Sequence, residues 1–241
     1  MRRAIPFTAL ILVAALVLSG FSSQEIVVGR RRAATSSLTV TLFVSNGNFG
    51  ASPTATVGLT GLATSDFLVI FSIINGTTLT LNTPSGCGTV FTSRGSPPGS
   101  GSPIMGVWTS PSTTTGSCTV TQTSSSSGSA GINLLVYAVH GSTKTFDAIS
   151  TYETDTGFCT SCTGQAVSTG GSNHMALFFG WNNGSVTISA LSPYTTDQNS
   201  VKAGSGQVVI GGSYLKAASG SVTPTWTSSG AHYADVSIAV Y

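Results

Sequence analysis

Cysteine is the first residue type here whose spacing suggests chemistry. Cys159 and Cys162 stand two residues apart in GFCTSCTG (157–164), while Cys87 and Cys118 stand alone. A C-x-x-C pair can be a redox centre, half of a zinc site, or a covalent staple. The redox use needs a helix N-terminus, whose dipole lowers the thiol pKa, and no helical pattern follows Cys162. Zinc needs a second close pair, or histidines at ligand spacing; His140, His174 and His232 are scattered. The pair therefore reads as a staple. In an exported chain four cysteines imply two disulfides, in one of three connectivities. A Cys87–Cys118 bridge could join neighbouring strands and contribute roughly 3–4 kcal/mol in the chain-entropy treatment. Cys159 and Cys162 could then close a small ring in a loop.

The other chemistry-bearing residues are sparse. Seven carboxylates are present, at positions 25, 66, 147, 153, 155, 197 and 235. Glycoside hydrolysis needs two of them across a cleft, and nothing in the sequence selects a pair. In YETDTG (152–157), Glu153 and Asp155 fall on one side of an extended segment and could give calcium oxygen ligands; a solvated loop explains them more simply. No other cofactor is called for. Serine and threonine are abundant, but no G-x-S-x-G elbow accompanies them. Trp181, Trp226 and Tyr194 are the candidates for stacking on sugar rings. Tyr194, in LSPYTTD, is best placed for exposure, whereas aromatics inside strand patterns usually pack in cores. Asn75-Gly-Thr and Asn183-Gly-Ser match the glycosylation sequon, although both also suit a hairpin tip.

The elements that must position these residues are strands. Apolar residues come as short runs or alternations of period two, separated by Gly, Ser, Pro and Asn clusters. The expected strands are LTVTLFVS (38–45), TATVGL (54–59), FLVIFSII (67–74), TTLTL (77–81), IMGVWTS (104–110) and CTVTQT (118–123). INLLVYAVH (132–140), MALFFGW (175–181), SVTISAL (185–191), QVVIGGSYLK (207–216), SVTPTWT (221–227) and YADVSIAVY (233–241) follow. An internal repeat runs through them. FLVIFSIINGTTLTL (67–81) aligns with MALFFGWNNGSVTIS (175–189), each an apolar strand, an Asn-Gly turn suited to a type I′ hairpin, and a Thr-rich strand. IMGVWTSPSTTTGSCTVTQT…INLLVYAV corresponds in order to VVIGGSYLKAASGSVTPTWT…DVSIAVY. The expectation is one all-β domain over 38–241: a single jelly-roll-like antiparallel β-sandwich with half-repeats at about 54–140 and 165–241.

Arg2 and Arg3 precede the apolar stretch AIPFTALILVAALVLSGF (4–21), followed by small residues. This reads as a signal peptide over 1–22; the alternative is a retained membrane anchor, since the run approaches a bilayer span and Arg30–Arg32 follow it. Residues 23–37 read as a flexible N-terminal segment. Charged residues form 7% of the chain against a typical ~25%. The formal charge of +2 falls to about zero once Arg2 and Arg3 are removed (2 − 2). That leaves no basic stripe to neutralise phosphates, which argues against nucleic acid as a partner.

The segments ATSDFLVIFSI, LNTPSGCGTVFTS, IMGVWTSPSTTTGSCTVT and INLLVYAVHGSTKTFDA together resemble the lectin-like jelly-roll modules of secreted and surface proteins of bacteria, archaea and their viruses. Cys87 stands where the turn of such modules commonly carries Trp, and VHG stands where RGV is usual. The resemblance spans 54–241 and implies fold and location. With export and the lack of a catalytic set, it leads to the expectation of a secreted, non-catalytic structural or adhesive protein. Such a protein could self-associate by strand addition through its N-terminal segment. A carbohydrate-binding module that recognises cell-surface glycans is the alternative, and a glycoside hydrolase ranks last.

Overall fold

Strand patterns of two kinds set the layers. TATVGLTGL alternates exposed and buried residues along its length, whereas FLVIFSII is buried at every position. Successive strand side chains point to opposite faces, so the first kind lies at a surface and the second must be covered on both sides. The computed structural model describes residues 38–45, 53–74, 79–95, 103–112, 114–125, 132–141, 145–154, 161–182, 189–192, 195–196, 201–203, 207–227 and 233–241. The expected signal peptide, the segment 23–37 and the Asn-Gly tips at Asn75 and Asn183 lie outside them.

The first half contains β1 (Thr39–Ser45), β2 (Thr54–Leu62), β3 (Phe67–Ile74), β4 (Ser85–Gly86) and β5 (Thr92–Arg94). It continues with β6 (Ile104–Pro111), β7 (Gly116–Thr123) and β8 (Ile132–His140). A connecting stretch carries β9 (Phe146–Ile149) and β10 (Glu153–Thr154). The second half holds β11 (Ser161–Thr163), β12 (Val167–Asn182), β13 (Ser189–Ser192), β14 (Thr195–Thr196) and β15 (Val201–Ala203). It ends with β16 (Gln207–Val222), β17 (Thr225–Thr227) and β18 (Tyr233–Val240). Every pairing between these strands is antiparallel. The expected TTLTL strand is reduced to a single bridge, Leu81 with Ser124, among the described residues.

The all-β antiparallel expectation holds, and among the described residues the strands form four sheets. In the first half the order β1-β8-β3-β6-β5 faces the three-stranded order β2-β7-β4. In the second half β10-β18-β12-β16-β14 accompanies β11-β17-β13, with β9 and β15 added at β18 and β16. The two halves therefore repeat one plan strand for strand. β1 pairs within the sheets of the first copy and β9 to β11 within those of the second.

One core lies inside the first half, where Leu68, Ile70, Ile74, Leu134 and Val136 meet Val57, Leu59 and Val120 of the small sheet. A second core lies between the halves, where the opposite faces of β3, β6 and β8 meet the inner face of the larger second sheet. Its members come in matched sets: Phe67, Val69, Phe71 and Ile73 of β3 against Met175, Leu177, Phe179 and Trp181 of β12. Phe71 and Phe179 occupy equivalent positions and stack on each other, with centroids 5.2 Å apart and ring planes 9° from parallel. Equivalent residues in mutual contact are the mark of an isologous, two-fold interface, so the halves pack like the protomers of a dimer joined in one chain.

The connecting stretch fastens them. Thr145 and Tyr241 exchange backbone hydrogen bonds of 2.7 and 3.1 Å, and Ser150 N–H donates to Ser237 O at 2.8 Å. On the other side, the Tyr152 hydroxyl accepts from Val107 N–H at 3.0 Å and donates to Arg94 O at 2.7 Å. The Arg94 guanidinium lies 4.1 Å above the Phe146 ring.

Candidate functional site

In each half, one histidine lies beside a carboxylate. In the first half, Asp66 closes the turn between β2 and β3, accepting Ala63 N–H at 2.8 Å. His140, the last residue of β8, sits 2.9 Å from its other oxygen through Nδ1. The Thr41 hydroxyl lies 3.0 Å from His140 Nε2. Hydroxyl, imidazole and carboxylate thus line up in the order of an acyl-transfer relay. The second half shows what the arrangement is for. His174 stands where Asp66 does, and Tyr241 stands where His140 does, as the shared β3–β8 and β12–β18 register requires. There His174 Nδ1 approaches Asp147 to 2.7 Å while its ring packs on Tyr241 at 4.9 Å. What the two halves share is a tie between a strand end and a neighbouring segment. The hydroxyl set against an imidazole belongs to the first half, on the exposed side of edge strand β1.

The other cluster is peculiar to the second half. Glu153 of β10 and Asp235 of β18 are direct cross-strand partners, so their side chains share one face about 4.5–5.5 Å apart at Cβ. Asp235 is fully buried and accepts Gln165 N–H on Oδ1 at 2.7 Å. Its Oδ2 is buried with no hydrogen-bond partner. The Gln165 side chain donates through Nε2 to Glu153 Oε2 and accepts the Thr151 hydroxyl at 2.6 Å. Burial pushes the Asp235 carboxyl up to about 7; the Gln165 N–H works against this and the nearby Glu153 charge adds to it. The corresponding pair in the first half is Leu134 and Ser45, by the same register. The exceptional feature is therefore a carboxylate pair in a place that elsewhere accepts a leucine.

The remaining expected residues fall as follows. Cys87 and Cys118 are bonded to each other, with Cα atoms 5.1 Å apart. Cys162 is buried and also disulfide-bonded, which leaves Cys159, outside the described residues, as the remaining cysteine. Cys162 was expected in a loop but lies in β11, opposite Trp226 in the small sheet of the second half. Trp181 is only 2% exposed and belongs to the core between the halves, so it offers no ring face to a sugar. Trp226 lies in β17, and its side chain, like Tyr194 and Asp155 altogether, is outside the description. Glu153 is brought together with Asp235. Sequence reasoning missed Asp235 and Gln165, though the internal alignment carried the signal: an acid opens DVSIAV in register with an aliphatic residue of INLLVYAV.

Fold and site together define an antiparallel, all-β sandwich protein with at least one buried disulfide. No protein-family model, no curated protein and no solved structure matches the chain.

Proposed function

We propose that the chain is an exported, non-catalytic structural or adhesive subunit of an extracellular surface or filament, joined to its neighbours by exchange of β1. The position of β1 carries this reading. It lies at the outer edge of the five-stranded sheet, held by seven register pairs to β8. Thr39 and Thr41 are exposed, and Val40 and Phe43 are only partly buried. Its main chain pairs with β8 along its whole length, and another copy's β1 would make those bonds equally well. Without β1, the apolar β8 would be an exposed sheet edge, a template for pairing with another chain. The orders β1-β8-β3-β6 and β2-β7-β4 of the first half support a jelly-roll reading, and a disulfide is compatible with export.

Val40 and Val139 are register partners, which suits a Val40→Cys, Val139→Cys disulfide. In assembled, secreted protein the exchange model predicts a ladder of covalent multimers on non-reducing gels. Cross-linked monomer alone, at concentrations where the wild type assembles, would rule it out.

A further inference from the structure

Around Gln165 the chain assembles the parts of an acyl transfer. The exposed Thr151 hydroxyl donates to Gln165 Oε1 at 2.6 Å, bridging residues 14 apart in the chain. Glu153 Oε2 accepts from the nitrogen of the same amide. The Gln165 main chain is fixed as well, its N–H donating to the buried Asp235 Oδ1 at 2.7 Å. A primary amide is an acyl group whose leaving group is ammonia. Here a hydroxyl stands at its oxygen and a carboxylate at its nitrogen, the nucleophile and proton carrier that acyl transfer needs. Burial, with the Glu153 charge adding to it, holds the Asp235 carboxyl up to about 7. Below that pH the charge of the pair therefore rests on Glu153, at the leaving nitrogen.

We propose that Thr151 and Gln165 join in an intramolecular ester with release of ammonia. A small rotation of the exposed Thr151 side chain moves Oγ1 from Oε1 to the adjacent acyl carbon, Cδ, which it attacks. The hydroxyl proton, already directed at Oε1, is taken up there as the Oγ1–Cδ bond forms. When the intermediate collapses, Glu153 carries this proton from Oε1 to Nε2, which it already touches. The Cδ–Nε2 bond breaks and the nitrogen leaves as ammonia. Hydroxyl and amide become ester and ammonia, so no oxidant, metal or further reactant enters. Both reacting groups belong to one chain, and proximity replaces the cleft in which an enzyme gathers its substrate. The ester would tie the connecting stretch to the second half covalently, independently of any exchange of β1.

The test is mass spectrometry of the whole secreted chain after reduction. It should weigh about 17 Da less than its sequence requires, one ammonia per ester formed. Ammonia lost elsewhere gives the same mass, so the fragments decide. Digestion after Asp155 or Phe158 separates the two residues in sequence, yet the peptide containing Thr151 should stay joined to the one containing Gln165. Mild alkali in heavy-oxygen water should part them and leave a labelled glutamate at position 165. Thr151→Ala and Gln165→Asn should abolish the joined peptide, and Thr151→Ser should retain it. Thr151 is exposed, so its replacement leaves the fold in place. Glu153→Gln should slow joining at least about tenfold after synthesis, the low end expected for a lost proton carrier. Unjoined peptides in the wild type overturn the proposal, as does a joined pair that survives Thr151→Ala. An unchanged rate in Glu153→Gln overturns the role given to Glu153.

Discussion

At the scale of single residues, the informative comparisons are internal. Asp66 and His140 in one half answer to His174 and Tyr241 in the other. The histidine contacts are thereby explained as ties at strand ends. Asp235 answers to Leu134 and is not explained that way. Its carboxyl is held up to about 7, chiefly by burial, against an ordinary value near ~4. Below about pH 4 it is protonated in both the folded and unfolded chain. Between about 4 and 7 the unfolded chain gives up this proton first, so folding loses about 1.4 kcal/mol per pH unit, with no further loss above 7. Asp235→Asn should therefore gain several kcal/mol relative to wild type between pH 4 and pH 7. Urea unfolding at the two pH values measures this; a constant difference would contradict the assigned environment.

At the scale of elements, the fully apolar strands were legible in the sequence and the short ones were not, while β12 runs over Val167–Asn182 where only 175–181 was expected and β16 over Gln207–Val222 where 207–216 was. FLVIFSII and INLLVYAVH appear as β3 and β8 with the expected bounds, because their apolar runs are framed by turn residues. Of the two- to four-residue strands, β4, β5, β9, β10, β11, β14 and β15 leave no periodicity to detect. They depend on partners from elsewhere in the chain. The layer count was in the pattern but needed the contrast between strands: TATVGL alternates, while FLVIFSII does not, and only a sheet covered on both faces uses the latter. The disulfide shows the same dependence. Cys87 takes a positive φ of 56° in a turn after β4, with Gly86 at 114° packed against the Thr119 carbonyl, where a Cβ would clash at 2.0 Å. That turn brings Cys87 beside Cys118 on β7, 31 residues away. Replacing both cysteines by alanine should lower stability by about 3–4 kcal/mol, measured by denaturant unfolding. A change below about 1 kcal/mol would mean that the unfolded chain already holds these residues together.

At the scale of the whole molecule, the repeat seen in the sequence is a repeat of paired sheets, one larger and one smaller in each half. Each half contributes a larger and a smaller sheet, and the two larger sheets pack against each other about the Phe71–Phe179 stack. The apolar run of β3 follows from this: odd positions enter the core between the halves and even ones the core of the first half. Two packed cores in a chain with 7% charged residues suit the proposed structural role. Its most direct test is a cysteine scan along β3, one position at a time from Phe67 to Ile74, reading the rate of thiol labelling in the native protein. Two stacked sandwiches predict protection at all eight positions. Labelling at every second position would mean that one face of β3 meets water, and would contradict the packing of the halves.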